Sequence, residues 1–542
     1  MYGSYLLPLI LQKAARGYAV TVHFLTAAET GNAAAIRSAI EAWYAPTPWY
    51  HDHYALLVGD VNAIPFGTWG TIGTDDLYAD ADGDGIDDLG QEVYVGRLSV
   101  DNASDVDNQV KKILQFEDHP TALFDYSRDL LIANMQDAPG KYQGCLESVA
   151  AYGAYAITPA FTKLYGSVGG NTNATLSADV NSNYGIVTYR GHGDWDEWWN
   201  WNIAGQTYYS ANVDALSNTI APVVWSIACN TYDLRQEDCF GEHWMERPLN
   251  SGAVSFYGAS EPSDTDPNHV LTRALHRAVF QHGYTKQGRA IAYAEHTMYD
   301  TTSSWNSWRY GLLGDPDMDV RRGRVFPIIA LAPGWLPPSG LSAVTFKVVD
   351  ANNAPIPNAL VGAYKSPTPP FAPGTSARRA LPLSATGTLA TEFQDNHYTD
   401  ANGQVTLNGA MPTSGWLYYA VRLDEGPGQG EALLDSIPVG NPLGVPFGGM
   451  GSGHFGAFPN ITHAGTEFLI GRADAAPGVI RVCDVAGRVV RTLPVSRGVT
   501  SVHWDGATSS GARAASGVYF ARYLPADGAG GPAAVARLAI VN

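Results

Sequence analysis

The sequence is short of cysteine, of basic charge and of long apolar runs. Its 4 cysteines among 542 residues, Cys145, Cys229, Cys239 and Cys483, are too few for a disulfide framework. They also lack the paired spacing of a zinc site. Lys and Arg number 33 against 52 Asp and Glu, a formal net charge of −19. That charge repels nucleic acid and anionic membranes and excludes both as partners. No hydrophobic run has the length of a bilayer span, so no transmembrane segment is expected. The apolar opening Tyr5-Leu-Leu-Pro-Leu-Ile-Leu11 is short, has no basic stretch before it and runs into a helical pattern at 11–16. It reads as part of the fold, not as a signal peptide. These features fit a secreted or cell-surface protein in its mature form, or a truncated reading frame.

Other residues are plentiful: 58 Gly, 33 Pro, 29 Tyr and 14 Trp, a composition of β-rich, loop-rich architecture with aromatic surfaces. The length exceeds what one core supports and implies about three domains. Residues 1–325 alternate candidate strands (20–25, 54–59, 93–98, 129–135, 185–189, 223–228, 253–257) with helical patterns (33–43, 104–117, 142–152, 239–245, 269–282, 287–299). Such alternation predicts an α/β domain with a mostly parallel sheet and helices on both faces. Beyond it, 326–440 reads as a β-sandwich, with alternating strands and Asp-Ala-Asn turn signals. A Gly/Pro linker at 441–460 leads to a second all-β, immunoglobulin-like unit at 461–542.

Two strand ends carry candidate chemistry. Tyr184-Gly-Ile-Val-Thr-Tyr-Arg-Gly191-His192-Gly193 and Pro222-Val-Val-Trp-Ser-Ile-Ala-Cys229 both run apolar up to a reactive side chain. Short apolar runs of this kind are parallel strands covered on both faces, and ligands gather at the carboxyl ends of such strands. If the two are neighbours, a thiol and an imidazole emerge together, as a cysteine nucleophile and its base require. The glycines beside His192 let the backbone approach a substrate, and the Gly193 and Cys229 amides are the natural oxyanion donors. The bland alternative is a loop histidine and a small core thiol.

The wider pattern resembles the gingipain-like cysteine peptidases, of caspase-type fold, over nearly all of the first 322 residues. The matching segments are Tyr54-Ala-Leu-Leu-Val-Gly-Asp-Val-Asn-Ala-Ile-Pro65, Gln91-Glu-Val-Tyr-Val-Gly-Arg-Leu-Ser99, Tyr189-Arg-Gly-His-Gly193, Ser226-Ile-Ala-Cys-Asn230, Cys239-Phe-Gly-Glu242, Gly252-Ala-Val-Ser-Phe-Tyr-Gly-Ala-Ser260 and Leu313-Gly-Asp-Pro316. The resemblance implies a catalytic dyad of His192 and Cys229 and a structural role for Cys239. It also implies a carboxylate where this chain has Gln136, and an S1 aspartate for arginine-cleaving members where 141–145 offers none. Strict arginine specificity is therefore not expected. Glu261 and Asp264 are the candidate acidic residues in the loop after the 253–258 strand. The run Trp195-Asp-Glu-Trp-Trp-Asn-Trp201 puts four tryptophans in seven residues just after His192, and Trp195 and Trp198 are expected to line the substrate cleft with Gln136.

Asp80-Ala-Asp-Gly-Asp-Gly-Ile-Asp87 spaces carboxylates at alternate positions, a pattern suited to Ca²⁺. Asp80, Asp82, Asp84 and Asp87 are the candidate ligands of a structural ion; no cofactor is expected in catalysis. The last unit resembles the sorting domains of type IX secretion cargo, similar to the immunoglobulin-like part of flagellar hook-capping proteins. The resemblance rests on Val482-Cys-Asp-Val-Ala-Gly-Arg-Val-Val-Arg-Thr-Leu493, Trp504-Asp-Gly506 and Ser516-Gly-Val-Tyr-Phe520, and implies the secretion machinery as a partner. The middle unit resembles carboxypeptidase-regulatory or immunoglobulin-like modules. Relatives open with a strand that the chain does not match, so the first strand, the signal peptide and any pro-segment are expected to be absent, leaving an exposed sheet edge.

The leading reading is a cysteine endopeptidase acting on polypeptides. A sortase-like transpeptidase, or a silent adhesin on the same scaffold, are the alternatives. Retention of both dyad residues argues against the last.

Overall fold

A computed structural model describes residues 2–46, 52–82, 91–121, 123–236, 238–249, 251–303, 305–326, 328–333, 336–350, 352, 354–367, 387–423, 430–440, 455–458, 461–462, 465–470, 477–484, 488–497, 499, 501–525 and 535–540. Two compact units divide the chain. One is built mainly from His23–Ile328, the other mainly from Ile10–Val22, Ile329–Val421 and Leu433–Asn542.

The first unit is organised by an eight-stranded sheet. Its strands in chain order are β1 (Tyr54–Val58), β2 (Tyr94–Leu98), β3 (Arg128–Ala133), β4 (Ala160–Tyr165), β5 (Ile186–Arg190), β6 (Val223–Ile227), β7 (Ser255–Ala259) and β8 (Tyr310–Leu313). Their spatial order is β1-β2-β8-β7-β6-β5-β3-β4. Every neighbouring pair is parallel except β7 with β8. The helices used below are α1 (Ala103–Asp118), α2 (Tyr142–Ala150), α3 (Phe240–Glu246), α4 (Thr265–Phe280) and α5 (Gln287–Thr302).

Both faces of the central strands are buried, as their continuous apolar runs require. Ile186, Trp225, Ile227 and Tyr257 join a core with α1, α4 and α5. Val187, Tyr189, Val224 and Phe256 join a second core with Trp198, Trp201 and α3. The Val-Gly-Arg motif has a packing reason: a Cβ on Gly96 would collide with the carbonyl oxygen of Gly314. Next to it, fully buried Arg97 grips Asp75 through Nε and Nη2 at 2.8 and 2.6 Å.

The sequence reading missed two strands of the sheet, β4 at its edge and β8 within it, and misplaced a third segment. Residues 20–25 do not join the sheet: only Thr21–Val22 is a strand, and it pairs antiparallel with Gly387–Thr388. β4 escaped the sequence reading because it is an edge strand with a half-exposed first part. Residues Gly3–Ala15 are helical.

In the second unit, a three-stranded sheet (Ile328–Leu331, Ser339–Asp350, Gln404–Met411) and a four-stranded one (Phe393–Tyr398, Leu360–Lys365, Gly415–Leu423, Gly430–Val439) form a sandwich. Phe346 of one meets Tyr419 of the other, ring centroids 5.0 Å apart. A further pair of sheets follows from Phe455 onward around Phe468, Ile480, Trp504 and Tyr519. Most of the expected linker, 441–454, lies outside the described residues.

Candidate active site

β5 and β6 are neighbours in parallel register, with Arg190 opposite Ile227. His192 and Cys229 each lie two residues beyond that matched pair, so the adjacency required by the sequence reading is present. Adjacent strands stand about 4.8 Å apart. Gly193 then folds back over the cysteine: a Cβ there would sit 2.8 Å from Thr231 Cγ2 and 2.9 Å from the Cys229 carbonyl oxygen. Only glycine admits that approach. The Gly193 and Cys229 amides donate to no acceptor among the described residues.

His192 is held from several sides. Its carbonyl oxygen accepts from Tyr189 Oη at 2.8 Å and from the Trp199 amide at 3.1 Å. Its Nε2 makes direct hydrogen-bond contact with Gln136 Oε1 and lies 3.2 Å from Tyr142 Oη. Lys141 Nζ, 3.1 Å away, donates to the same Gln136 oxygen. An ammonium pairs with oxygen and not with an amide NH₂, so Gln136 presents oxygen to the ring and Nε2 carries the proton. Nδ1 is then the basic nitrogen. Burial lowers the His192 pKa below its ordinary value, helped by Lys141 and Arg190 and opposed by Asp137. The ring is therefore neutral at neutral pH.

Cys229 is half-buried, and Cys145, Cys239 and Cys483 are also free thiols. The Ser263 amide donates to Cys229 Sγ at 3.3 Å, with Ser263 Oγ at 3.8 Å. Asn268 Nδ2 and Tyr310 Oη hold that hydroxyl in turn, at 2.8 and 3.2 Å. A thiolate is stabilised by such donors. Buried Cys239 instead caps the start of α3, where its amide donates to Glu242 Oε2 at 2.7 Å.

Other expectations need correction. Trp198 cannot line a cleft: it is fully buried, stacked on Tyr189 at 4.2 Å, with its indole N–H on Ser226 Oγ at 2.9 Å. The run alternates in and out, so Trp195 and Trp199 are 38% and 51% exposed while Trp201 is buried with Trp198. Trp199 meets His192 edge to face, centroids 5.7 Å apart. Glu261 and Asp264 form no free acidic wall, because Arg235 neutralises the first at 2.7 Å and Arg309 the second at 2.9 Å.

Sequence reasoning missed Tyr142, Ser263, Arg190 and Asn134. Asn134 follows β3 directly, receives the Gln136 amide on Oδ1 at 2.9 Å and donates to the Trp199 carbonyl at 3.0 Å, which ties the two loops around His192 together. Only its place after an apolar strand could have marked it.

Of the acidic loop, Asp84 and Asp87 lie outside the described residues. Asp80, Asp82 and Glu92 bring carboxylate oxygens within 4.8 Å of one another. That spacing suits a cation with oxygen ligands at 2.3–2.6 Å. Glu92 was not anticipated, and Asp80 also pairs with Arg37 at 2.6 Å.

Known proteins share this architecture. A model of peptidase family C25 matches residues 2–321, and one of the FlgD Ig-like domain matches 460–522. Gingipain R2 of Porphyromonas gingivalis is 27% identical over 205 residues, which cover 35% of this chain and 26% of that protein. Gingipain R1 of the same organism is also 27% identical over 205 residues, covering 35% of this chain and 19% of its own length. The chain thus spans about a quarter or less of these relatives. The crystal structure of the Arg-specific cysteine proteinase gingipain R (RgpB) superposes with a TM-score of 0.63 at 17% identity, covering 80% of this chain and 94% of that one. The complex of P. gingivalis RgpB pro- and mature domains gives 0.62 at 16% identity, covering 81% and 97%. These likenesses establish the fold.

Proposed function

The chain belongs to peptidase family C25, and from that premise we propose that it is a secreted or cell-surface cysteine endopeptidase with Cys229 as nucleophile and His192 as acid–base partner. The observation that carries this reading is the emergence of both residues two positions beyond a matched pair on neighbouring parallel strands. A neutral imidazole and two amides with no acceptor among the described residues support it further.

In this reading His192 Nδ1 takes the proton of the Cys229 thiol, and the sulfur attacks the scissile carbonyl carbon. The C–S bond forms as the carbonyl oxygen becomes an oxyanion, held by the Gly193 and Cys229 N–H groups. Collapse breaks the C–N bond while His192 passes the proton to the leaving amine. Water, losing a proton to His192, then attacks the thioester, releases the acid and restores the thiol. Gln136 and Tyr142 keep Nε2 protonated and the ring fixed throughout. A Cys229→Ala protein that retains all Cys-inhibitor-sensitive peptide cleavage would contradict the assignment.

Asp80, Asp82 and Glu92 would hold a structural Ca²⁺ at the two ends of the loop between Asp82 and Glu92, and the ion would take no part in the chemistry. Added Ca²⁺ should raise the melting temperature and slow cleavage of that loop, which carries no Lys or Arg, by an Asp-specific endoproteinase. The C-terminal sandwich, in the same reading, is the part recognised by secretion machinery. No described helix is long and apolar enough to cross a membrane.

A further inference from the structure

Arg190 is a buried cation without a counter-ion. It is 1% exposed, and its guanidinium donates to His269 Nδ1 at 3.2 Å, to the carbonyls of Ile227 and Gly191 at 3.0 and 3.5 Å and to that of Thr265 at 2.8 Å. Its Cζ lies 4.7 Å from the centroid of the Tyr142 ring. All these partners are neutral, and no carboxylate among the described residues pairs with it. Elsewhere in the same sheet, buried Arg97 has Asp75 as its anion. Taking a guanidinium out of water without an anion is costly, so the exception calls for a reason.

The surrounding charge has the same sign. Lys141 Nζ also lies 4.7 Å from the Tyr142 ring centroid, and its nearest carboxylate, exposed Asp137, is 3.9 Å away. Burial, then Arg190, Arg273 and Lys141, hold the His269 pKa down to about 3. Two cations, Arg190 and Lys141, therefore flank the tyrosine that touches His192, in a chain whose net charge is −19. Lys141 is the accessible one, with 23% of its side chain exposed, and it shares Gln136 Oε1 with His192. Arg190 lies behind, bonded to the carbonyl two residues before Cys229.

We propose that the missing anion comes from the substrate: a side-chain carboxylate, Asp or Glu, flanking the scissile bond and docked on Lys141 in the field of Arg190. The inference rests on His192 and Cys229 being the reacting pair. A substrate arginine would meet Lys141 and Arg190 on this side. On the Ser263 side it would find Glu261 and Asp264 already paired with arginines.

The test separates this inference from the catalytic reading. Binding is measured on the full-length Cys229→Ala protein, with acetylated and amidated peptides that differ only in a central Glu, Gln or Arg. Blocked ends leave the side chain as the only variable carboxylate. The Glu peptide should bind about tenfold more tightly than the Gln peptide, and the Arg peptide most weakly. Lys141→Glu, at a partly exposed position, should reverse the order of Glu and Arg, and salt should compress the differences. Equal binding of the three, a preference for Arg, or no binding by any of them would overturn the proposal. Cleavage of the Gln peptide by the unsubstituted protein, lost in Cys229→Ala, reports separately on the dyad.

Discussion

His192 and Cys229 occupy equivalent places on neighbouring strands, yet their surroundings differ in kind. The histidine is gripped through its ring by Gln136 and Tyr142 and through its carbonyl by Tyr189 and Trp199. The cysteine is approached by one residue, Ser263, and its own amide stays open beside that of Gly193. The base is fixed before substrate arrives, whereas the nucleophile leaves room for a carbonyl group. Preorganisation of that kind lowers the reorganisation needed during reaction.

The contrast can be broken most severely at its two poles. Cys229→Ala or His192→Ala should each lower kcat/KM by roughly 10⁴-fold or more, with the double variant little worse, because groups acting as one unit are not additive. Steady-state kinetics beside an unchanged circular dichroism spectrum checks this. A smaller loss should follow from pushing the two apart. Gly193→Ala places a methyl 2.8 Å from Thr231 Cγ2 and 2.9 Å from the Cys229 carbonyl oxygen, and a displacement of this kind costs about 10²-fold in kcat.

A milder change sharpens the comparison on the histidine side. Lys141 helps to lower the His192 pKa, and a general base works only when deprotonated. Removing the cation in Lys141→Met should therefore raise that pKa and move the acid limb of the kcat/KM profile to higher pH. An unmoved limb would show that Lys141 does not bear on the base. The smallest effect on chemistry is expected for Trp198→Phe. It leaves buried Ser226 Oγ without its indole donor and should cost about 1–3 kcal/mol of stability, read by denaturant unfolding, with activity reduced far less.

β5, β6 and β7 were legible because burial on both faces leaves unbroken apolar runs, whereas the four-residue β8, equally buried, was too short to stand out. His192 and Cys229 close two of the unbroken runs. Their adjacency was not legible: it depends on β5 and β6 being neighbours, which no local pattern specifies. The same limit hid Tyr142 and Ser263, which reach the site from α2 and from the loop after β7. In the Trp195–Trp201 segment, composition announced aromatic surface but not direction. Trp198 turned inward because stacking on Tyr189 and bonding to Ser226 satisfies both its ring and its N–H. Glu261 looked like a free acid in sequence because its partner Arg235 lies in a different loop.

Alkylation of Cys229 by iodoacetamide, followed across pH by peptide mass spectrometry in the native protein and in His192→Ala, tests the coupling of the two residues most directly. The account predicts that at neutral pH Cys229 reacts much faster in the native protein than in His192→Ala, because the neutral imidazole takes the thiol proton. Equal Cys229 rates in the two proteins at every pH would contradict it.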